Sequence, residues 1–199
     1  MMTEPITDPN PPEWAETVLR LFLKPEDSDC VSGDLLEEYR ETVHAGRDRA
    51  AADRWYVRQV SGFVWRATWA WAALLAMLTL GRSALDWFLP PASFSTRSMV
   101  TTYTHVAVFM TVGFLAVSRG RSVAGAVAAA LGAQIIAVVM IFAGTVALIG
   151  IWHDPQTLAA IEHSGGIGEM FTLPIAVTGP AILLSMLGGA AGLILGRSR

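Results

Sequence analysis

The chain has 199 residues, 53% of them hydrophobic and only 16% charged, with a formal charge of −3. Soluble domains carry about 25% charged residues, so the composition points to a membrane protein; an acidic chain with no concentrated basic face argues against nucleic-acid binding. Cys30 is the only cysteine, which excludes an intrachain disulfide and any cysteine-based metal site.

Charge is unevenly placed: residues 1–61 hold 7 Lys+Arg against 13 Asp+Glu, and the remainder 7 against 4. The opening MMTEPITDPNPPEW is acidic and Pro-rich, without the basic-then-apolar order of a signal peptide, and disorder is expected over 1–10. A cytosolic helical domain is expected over 11–62. Its first helix follows Pro11–Pro12, which suit a first turn, and places Trp14, Val18, Leu21 and Phe22 on one face. Lys24–Asp29 interrupts the pattern at Pro25. The second helix starts at Ser28 or Asp29, or at Asp34 with Glu37 closing a capping box. It aligns Val31 or Leu35 with Leu36, Tyr39 and Val43, and ends at Ala45–Gly46.

A third helix from about Arg49 presents Trp55, Tyr56, Gln59 and Phe63 and continues into the membrane. So short a domain has a marginal core, so it is expected to lean on the membrane or on a partner. Its acidic surface, with Asp34, Glu37, Glu38 and Tyr39 as the partner-binding patch, faces the cytosol, while the Arg-rich stretch 47–66 is drawn to anionic lipid. Trp55, Tyr56, Arg58 and Gln59 form the membrane junction, either a docking surface or an aromatic belt with snorkelling arginine.

A bilayer core of roughly 30 Å needs about 20 apolar residues in helix. Four stretches within 63–199 meet this, at 64–88, 99–117, 123–152 and 170–195. Pro174 and Pro180 predict a kink or broken turn in the fourth. Arg47, Arg49, Arg54, Arg58 and Arg66 precede the first span, Arg119 and Arg121 separate the second and third, and Arg197 and Arg199 end the chain. The 153–169 loop has no Lys or Arg. By the positive-inside rule both termini are cytoplasmic. Abundant alanine and 13 Arg against one Lys fit a GC-rich bacterial genome, hence a bacterial inner (plasma) membrane. Arg82 and Arg97 depart from the rule, falling in the first outer loop. Arg82 is spaced to pair with Asp86, and Trp87 suits an interfacial belt.

Within the second span, Thr101–Thr104 and His105 form a polar cluster, and an ionisable residue inside a span is a functional hypothesis. His105, with Gln134 of the third span as its partner, fits interhelical hydrogen bonding or a proton or solute path. Gly188, Gly192 and Gly196 repeat every four residues, as do Ala124, Ala128 and Gly132, giving smooth helix-packing faces for a compact bundle or a homo-oligomer seam. His153, Asp154, Glu162 and His163 share the third loop but match no compact zinc spacing, and HDPQT reads as a turn. Gly165–Gly166–Ile167–Gly168 reads as a flexible loop lacking the Lys-Ser/Thr of a phosphate-binding loop. Nothing matches a Ser/His/Asp, Cys/His or paired-carboxylate site, so no catalytic residue, metal or cofactor is expected.

Three ordered blocks invite a comparison. Pro11, Pro12, Ala15 and Glu16, then Gly33, Asp34, Leu35, Glu37, Glu38 and Tyr39, then Trp55, Tyr56 and Gln59 resemble the permease prefix domain. That domain opens large bacterial macrolide-exporter-type permeases, including the acidobacterial duplicated orphan permeases. The resemblance covers about 11–65. It implies a permease-related membrane protein whose head contacts an ABC-type permease, an ATP-binding subunit or another cytosolic protein. Those permeases continue into a long extracytoplasmic domain and a permease core, where this sequence has four apolar stretches joined by short loops. The expectation is an all-α membrane protein, a small N-terminal cytosolic helical domain followed by a four-helix transmembrane bundle. It would act as an accessory or regulatory protein, or as a small oligomeric transporter.

Overall fold

The computed structural model describes residues 9–46, 48–88, 94–151, 155–163 and 166–196. Residues 1–8, Arg47, His153, Asp154, Gly165, Arg197 and Arg199 lie outside the described residues, as does the Trp87 side chain. The chain is all-helical: α1 (Glu13–Phe22), α2 (Pro25–His44), α3 (Arg49–Phe88), α4 (Phe94–Ser118), α5 (Val123–Ile151), α6 (Pro155–His163), α7 (Gly166–Ala176) and α8 (Thr178–Gly196).

Among the described residues, four segments are long and apolar enough to cross a membrane: 49–86, 95–118, 123–151 and 166–196. Only 17–33% of the most apolar window in each is buried inside the protein. Their outward faces carry Trp69, Met77, Ile135, Val139, Leu187 and Ile194. Apolar surface of that extent is covered by lipid in a helix that spans a bilayer. The helix α3 has 40 residues, about 60 Å at 1.5 Å per residue, so one rod serves both head and bundle. α5 is the central helix, touching α1, α3, α4, α7 and α8.

Local chemistry explains the ends. Pro25 sits at the first position of α2 behind an extended Lys24, where its missing N–H costs nothing. The break is therefore confined to Leu23–Lys24, not Lys24–Asp29, and Asp34 lies in mid-helix rather than at a cap. Gly46 and Gly120 adopt positive φ, as helix-terminating residues without Cβ do readily. At Gly120 the bonds Gly120 N→Val117 O and Arg121 N→Ala116 O form a Schellman ending, and Ser122 Oγ caps the Gly125 N–H at 3.0 Å. The turn between α4 and α5 is thus tight. α7 and α8 are one span interrupted at Val177 between Pro174 and Pro180, the broken turn expected there. Within 155–169, where the rest of a turn and a glycine loop were expected, α6 occupies 155–163 and Gly166 and Gly168 lie in the first turn of α7; His153, Asp154 and Gly165 lie outside the described residues.

In the head, Ala15, Leu19, Tyr39, Ala52, Tyr56 and Val60 form the core. Of the expected first-helix stripe, Val18 and Leu21 pack against the bundle core, while Ala15 and Leu19 turn to the head core. Phe22 is buried, but Trp14 is 59% exposed, because Ala15 rather than a large side chain lets α1 approach α3. Tyr39 and Tyr56 meet edge to face with centroids 6.1 Å apart. Pro9 O and Asn10 Oδ1 accept hydrogen bonds from Arg40. The head does not merely lean on lipid. Phe22 belongs to the core of the bundle, and a Cβ on Gly125 of α5 would meet the Leu21 carbonyl oxygen at 2.6 Å.

Glu16 is the polar hub of the head. It accepts hydrogen bonds from Ser32 Oγ, Tyr56 OH and Arg20 Nε. Burial raises its pKa, but the hydrogen bonds from Ser32, Tyr56 and Arg20, with the Arg20 charge, outweigh it and hold the carboxyl below its ordinary 4.5. A depressed carboxyl contributes stability above its unfolded pKa, lost as pH falls through the folded one. Hydrogen-exchange protection of α1 is therefore expected to hold at neutral pH and to fall as the pH drops below the ordinary 4.5. Glu16→Gln is expected to lower protection at pH 7 by about 1–2 kcal/mol, since hydrogen bonds to charged groups are the stronger ones, and to flatten the acid limb. Unchanged protection in the variant would remove Glu16 from this role.

Candidate functional site: a polar cavity at the far end of the bundle

Hydroxyls in an apolar helix need a partner, and α3 and α4 supply one locally. Thr79 Oγ1 donates to Leu75 O at 3.0 Å, Ser83 Oγ to Thr79 O at 3.1 Å and Thr101 Oγ1 to Arg97 O at 2.9 Å. This backbonding to the residue four earlier lets hydroxyls sit on a membrane helix. Thr79 and Ser83 share one face of α3; Ser98, Thr101 and His105 share one face of α4. They open onto a common cavity of about 370 Å³ at the end of the bundle away from the head. Gln134 from α5 and Glu169, Met170 and Pro174 from α7 complete its wall, and Leu75, Phe109 and Ile141 make an apolar floor.

An ion network closes the far end. Asp86 accepts from Arg82 Nε at 3.3 Å and from Arg97 Nε at 2.6 Å. The side chains of Arg82, Asp86 and Arg97 are only 16%, 6% and 12% exposed. The one-turn spacing of Arg82 and Asp86 made their pair legible in sequence. Arg97 was not legible, because its approach depends on how α4 returns beside α3. The two arginines that break the positive-inside pattern are thus both held by one carboxylate.

His105 contacts two groups. Nδ1 lies 2.8 Å from Thr101 O, and Nε2 lies 3.3 Å from Thr79 Oγ1. A carbonyl only accepts, so Nδ1 carries a proton. The Thr79 hydroxyl serves either state of Nε2: it turns its proton to a bare Nε2, or donates to Leu75 O while accepting from a protonated one. The site therefore accommodates both neutral and charged imidazole without stranding a polar atom. The expected pairing of His105 with Gln134 is not formed. Gln134 Nε2 donates instead to Pro174 O at 2.7 Å, a carbonyl in the last turn of α7 where helix carbonyls need outside donors. Both side chains nevertheless line the cavity.

The other anticipated positions fall elsewhere. Asp34, Glu37 and Glu38 are exposed on α2. Tyr39 is fully buried and donates to Asp53 Oδ1 at 2.7 Å, so it is an interior residue and not part of a surface patch; burial raises its pKa, with the Asp53 hydrogen bond adding. Tyr56 is likewise fully buried in the head, not in a membrane belt. Trp55 packs on the same core, Arg58 is exposed and Gln59 half-buried. Gly188 and Gly192 pack on α4, whereas Gly196 is exposed with nothing near its Cα face. On α5, Ala124 faces outward, but Ala128 packs on the bundle core and Gly132 lies close against Thr68 and Val64 of α3 and Phe22 of α1; the buried small residues are Gly125, Ala126, Ala129, Ala130, Ala133 and Ala137. His163 bonds its own helix through Ala159 O at 2.7 Å and is exposed beside Glu162. No group of three or more metal-ligating side chains occurs among the described residues. Comparison with protein-family models, with curated proteins and with solved structures finds no match to this chain.

Proposed function

We propose that this is a permease-related multi-pass protein of the bacterial inner membrane, with head and both termini cytoplasmic, which takes a small solute into the cavity from the extracytoplasmic side. The cavity carries the reading. Its volume lies within the roughly 300–1,000 Å³ range of small-molecule sites. Its mixed lining of hydroxyls, His105, Gln134 and an ion network over an apolar floor suits a solute with an apolar body and a hydrogen-bonding group. The orientation is supported by Arg58, Arg66, Arg119 and Arg121 at the head end, against Arg82 and Arg97, both paired to Asp86, at the other.

The test is accessibility. In a Cys30→Ser background, Ser98→Cys is expected to react with a membrane-impermeant maleimide added from the periplasmic side. His105→Phe replaces the imidazole of the cavity wall with an apolar ring, so a solute that stabilises the wild type should not stabilise the variant. Labelling only from the cytoplasmic side would reverse the orientation; no labelling from either side would close the cavity as a solute route.

A second reading rests on a separate observation, the exposed Asp34, Glu37 and Glu38 on α2. This surface suits a basic patch on an ATP-binding subunit or another cytosolic partner. Photo-crosslinkers at positions 37 and 38 in native membranes are expected to capture such a subunit. Capture of lipid alone would discard this reading and leave the cavity untouched.

A further inference from the structure

At the opposite end of the bundle lies a second concavity, of about 490 Å³, between the head, α3 and the α4–α5 turn. It exists because α3 packs mainly on α5 and α4 mainly on α8, leaving a seam between α3 and α4. Its rim holds four cations, Lys24, Arg66, Arg119 and Arg121, and one carboxylate, Asp27. No ion pair engages any of these four cations among the described residues. Burial and the adjacent Arg119 charge both push the Arg121 pKa down, as expected where positive charge gathers without a counter-ion. The Schellman turn at Gly120 holds Arg119 and Arg121 beside each other.

Below the rim the lining turns apolar. Ala67, Ala70 and Trp71 form one side, Val112 and Ala116 the other. From Phe63 to Trp71 along α3, and from Arg119 to Val112 along α4, the groove descends about 10–12 Å at 1.5 Å per residue. That is the distance from headgroup level into the upper acyl chains. The small alanines leave width for a chain, and the seam runs between two candidate membrane spans.

We infer that this groove is a binding site for one anionic phospholipid of the head-side leaflet, its phosphate held among Lys24, Arg66, Arg119 and Arg121 and an acyl chain lying over Ala67, Ala70 and Trp71. The occupant is a lipid rather than a free phosphate because the cations stand over an apolar trough open to the membrane. Anionic lipid is also what a basic rim attracts at the cytoplasmic surface. The site is separate from the far-end cavity and does not depend on its role.

Native mass spectrometry of the full chain in neutral detergent tests it, with phosphatidylglycerol, phosphatidylcholine and inorganic phosphate as probes. One phosphatidylglycerol is expected to be retained about tenfold better than phosphatidylcholine, and excess inorganic phosphate is not expected to displace it. The preference should be lost in Arg119→Gln/Arg121→Gln, since each surface cation contributes about fivefold to the attraction of anionic lipid. Should that double variant fail to fold, Arg66→Gln, on an exposed side chain, should lower the preference about fivefold. Arg58→Gln, outside the groove, should change nothing. Equal retention of the two lipids, an undiminished preference in the rim variants, or displacement by inorganic phosphate would each overturn the assignment.

Discussion

Asp86→Ala is expected to destabilise the bundle by about 3–5 kcal/mol, the range for removing one partner from a buried ion pair. The reason is geometric. Arg82 reaches Asp86 from one turn earlier on α3 and Arg97 reaches it from α4, so one carboxylate neutralises two guanidiniums that are themselves largely removed from water. Taking it away leaves the burial of both cations in place and deletes the negative charge they share. Asp86→Asn keeps an acceptor and should cost roughly half as much. Reversible unfolding in mixed micelles measures both. A loss below about 1 kcal/mol, the value of an exposed pair, would show that water screens the network. Because Asp86 also lines the cavity, the alanine variant should bind any cavity solute more weakly even where it remains folded.

The second large effect concerns the contact of α4 with α8. A Cβ on Gly113 would land on the Ser185 carbonyl oxygen, and a Cβ on Gly188 on the Met110 carbonyl oxygen. Both obstacles are backbone, which cannot rotate aside like a side chain. Gly113→Ala and Gly188→Ala are each expected to cost about 3 kcal/mol, at the upper end for overpacking. The double variant should cost clearly less than the sum, since separating the helices for one methyl makes room for the other. Gly196→Ala, with open space around it, should stay within about 0.5 kcal/mol of wild type. Equal behaviour at 188 and 196 would mean that the four-residue repeat, and not the reciprocal close approach, sets the packing.

These variants also separate what periodicity conveys from what it omits. The glycine repeat marked a smooth face on α8, but only contact with α4 distinguishes Gly188 and Gly192 from Gly196. In the head, Val18, Leu21 and Phe22 pack on the bundle core and Ala15 and Leu19 on the head core, so α1 is buried on two faces. Periodicity pointed to the first face, together with Trp14, and not to the second, where Ala15 carries little apolar signal. Tyr39 fitted both the apolar stripe of α2 and its acidic patch; it is interior, its hydroxyl donating to Asp53. For the cavity, His105 and Gln134 stood out as polar residues in apolar spans. Their actual partners, Thr79 and the Pro174 carbonyl, come from helices distant in sequence.

The amino-acid sequence by itself determined the all-helical class, the four apolar spans, the single rod joining head and bundle, and the broken final span. These follow from local quantities: apolar length, the missing N–H of proline and the φ freedom of glycine. The tertiary structure decided which face of each span turns inward, how Asp86 gathers two arginines, where the head docks on α5 and where the two concavities open. In water, a core-facing stripe announces itself against a polar one. In a membrane, lipid and protein interior are alike apolar, so the inward face carries little signature until the helices are packed.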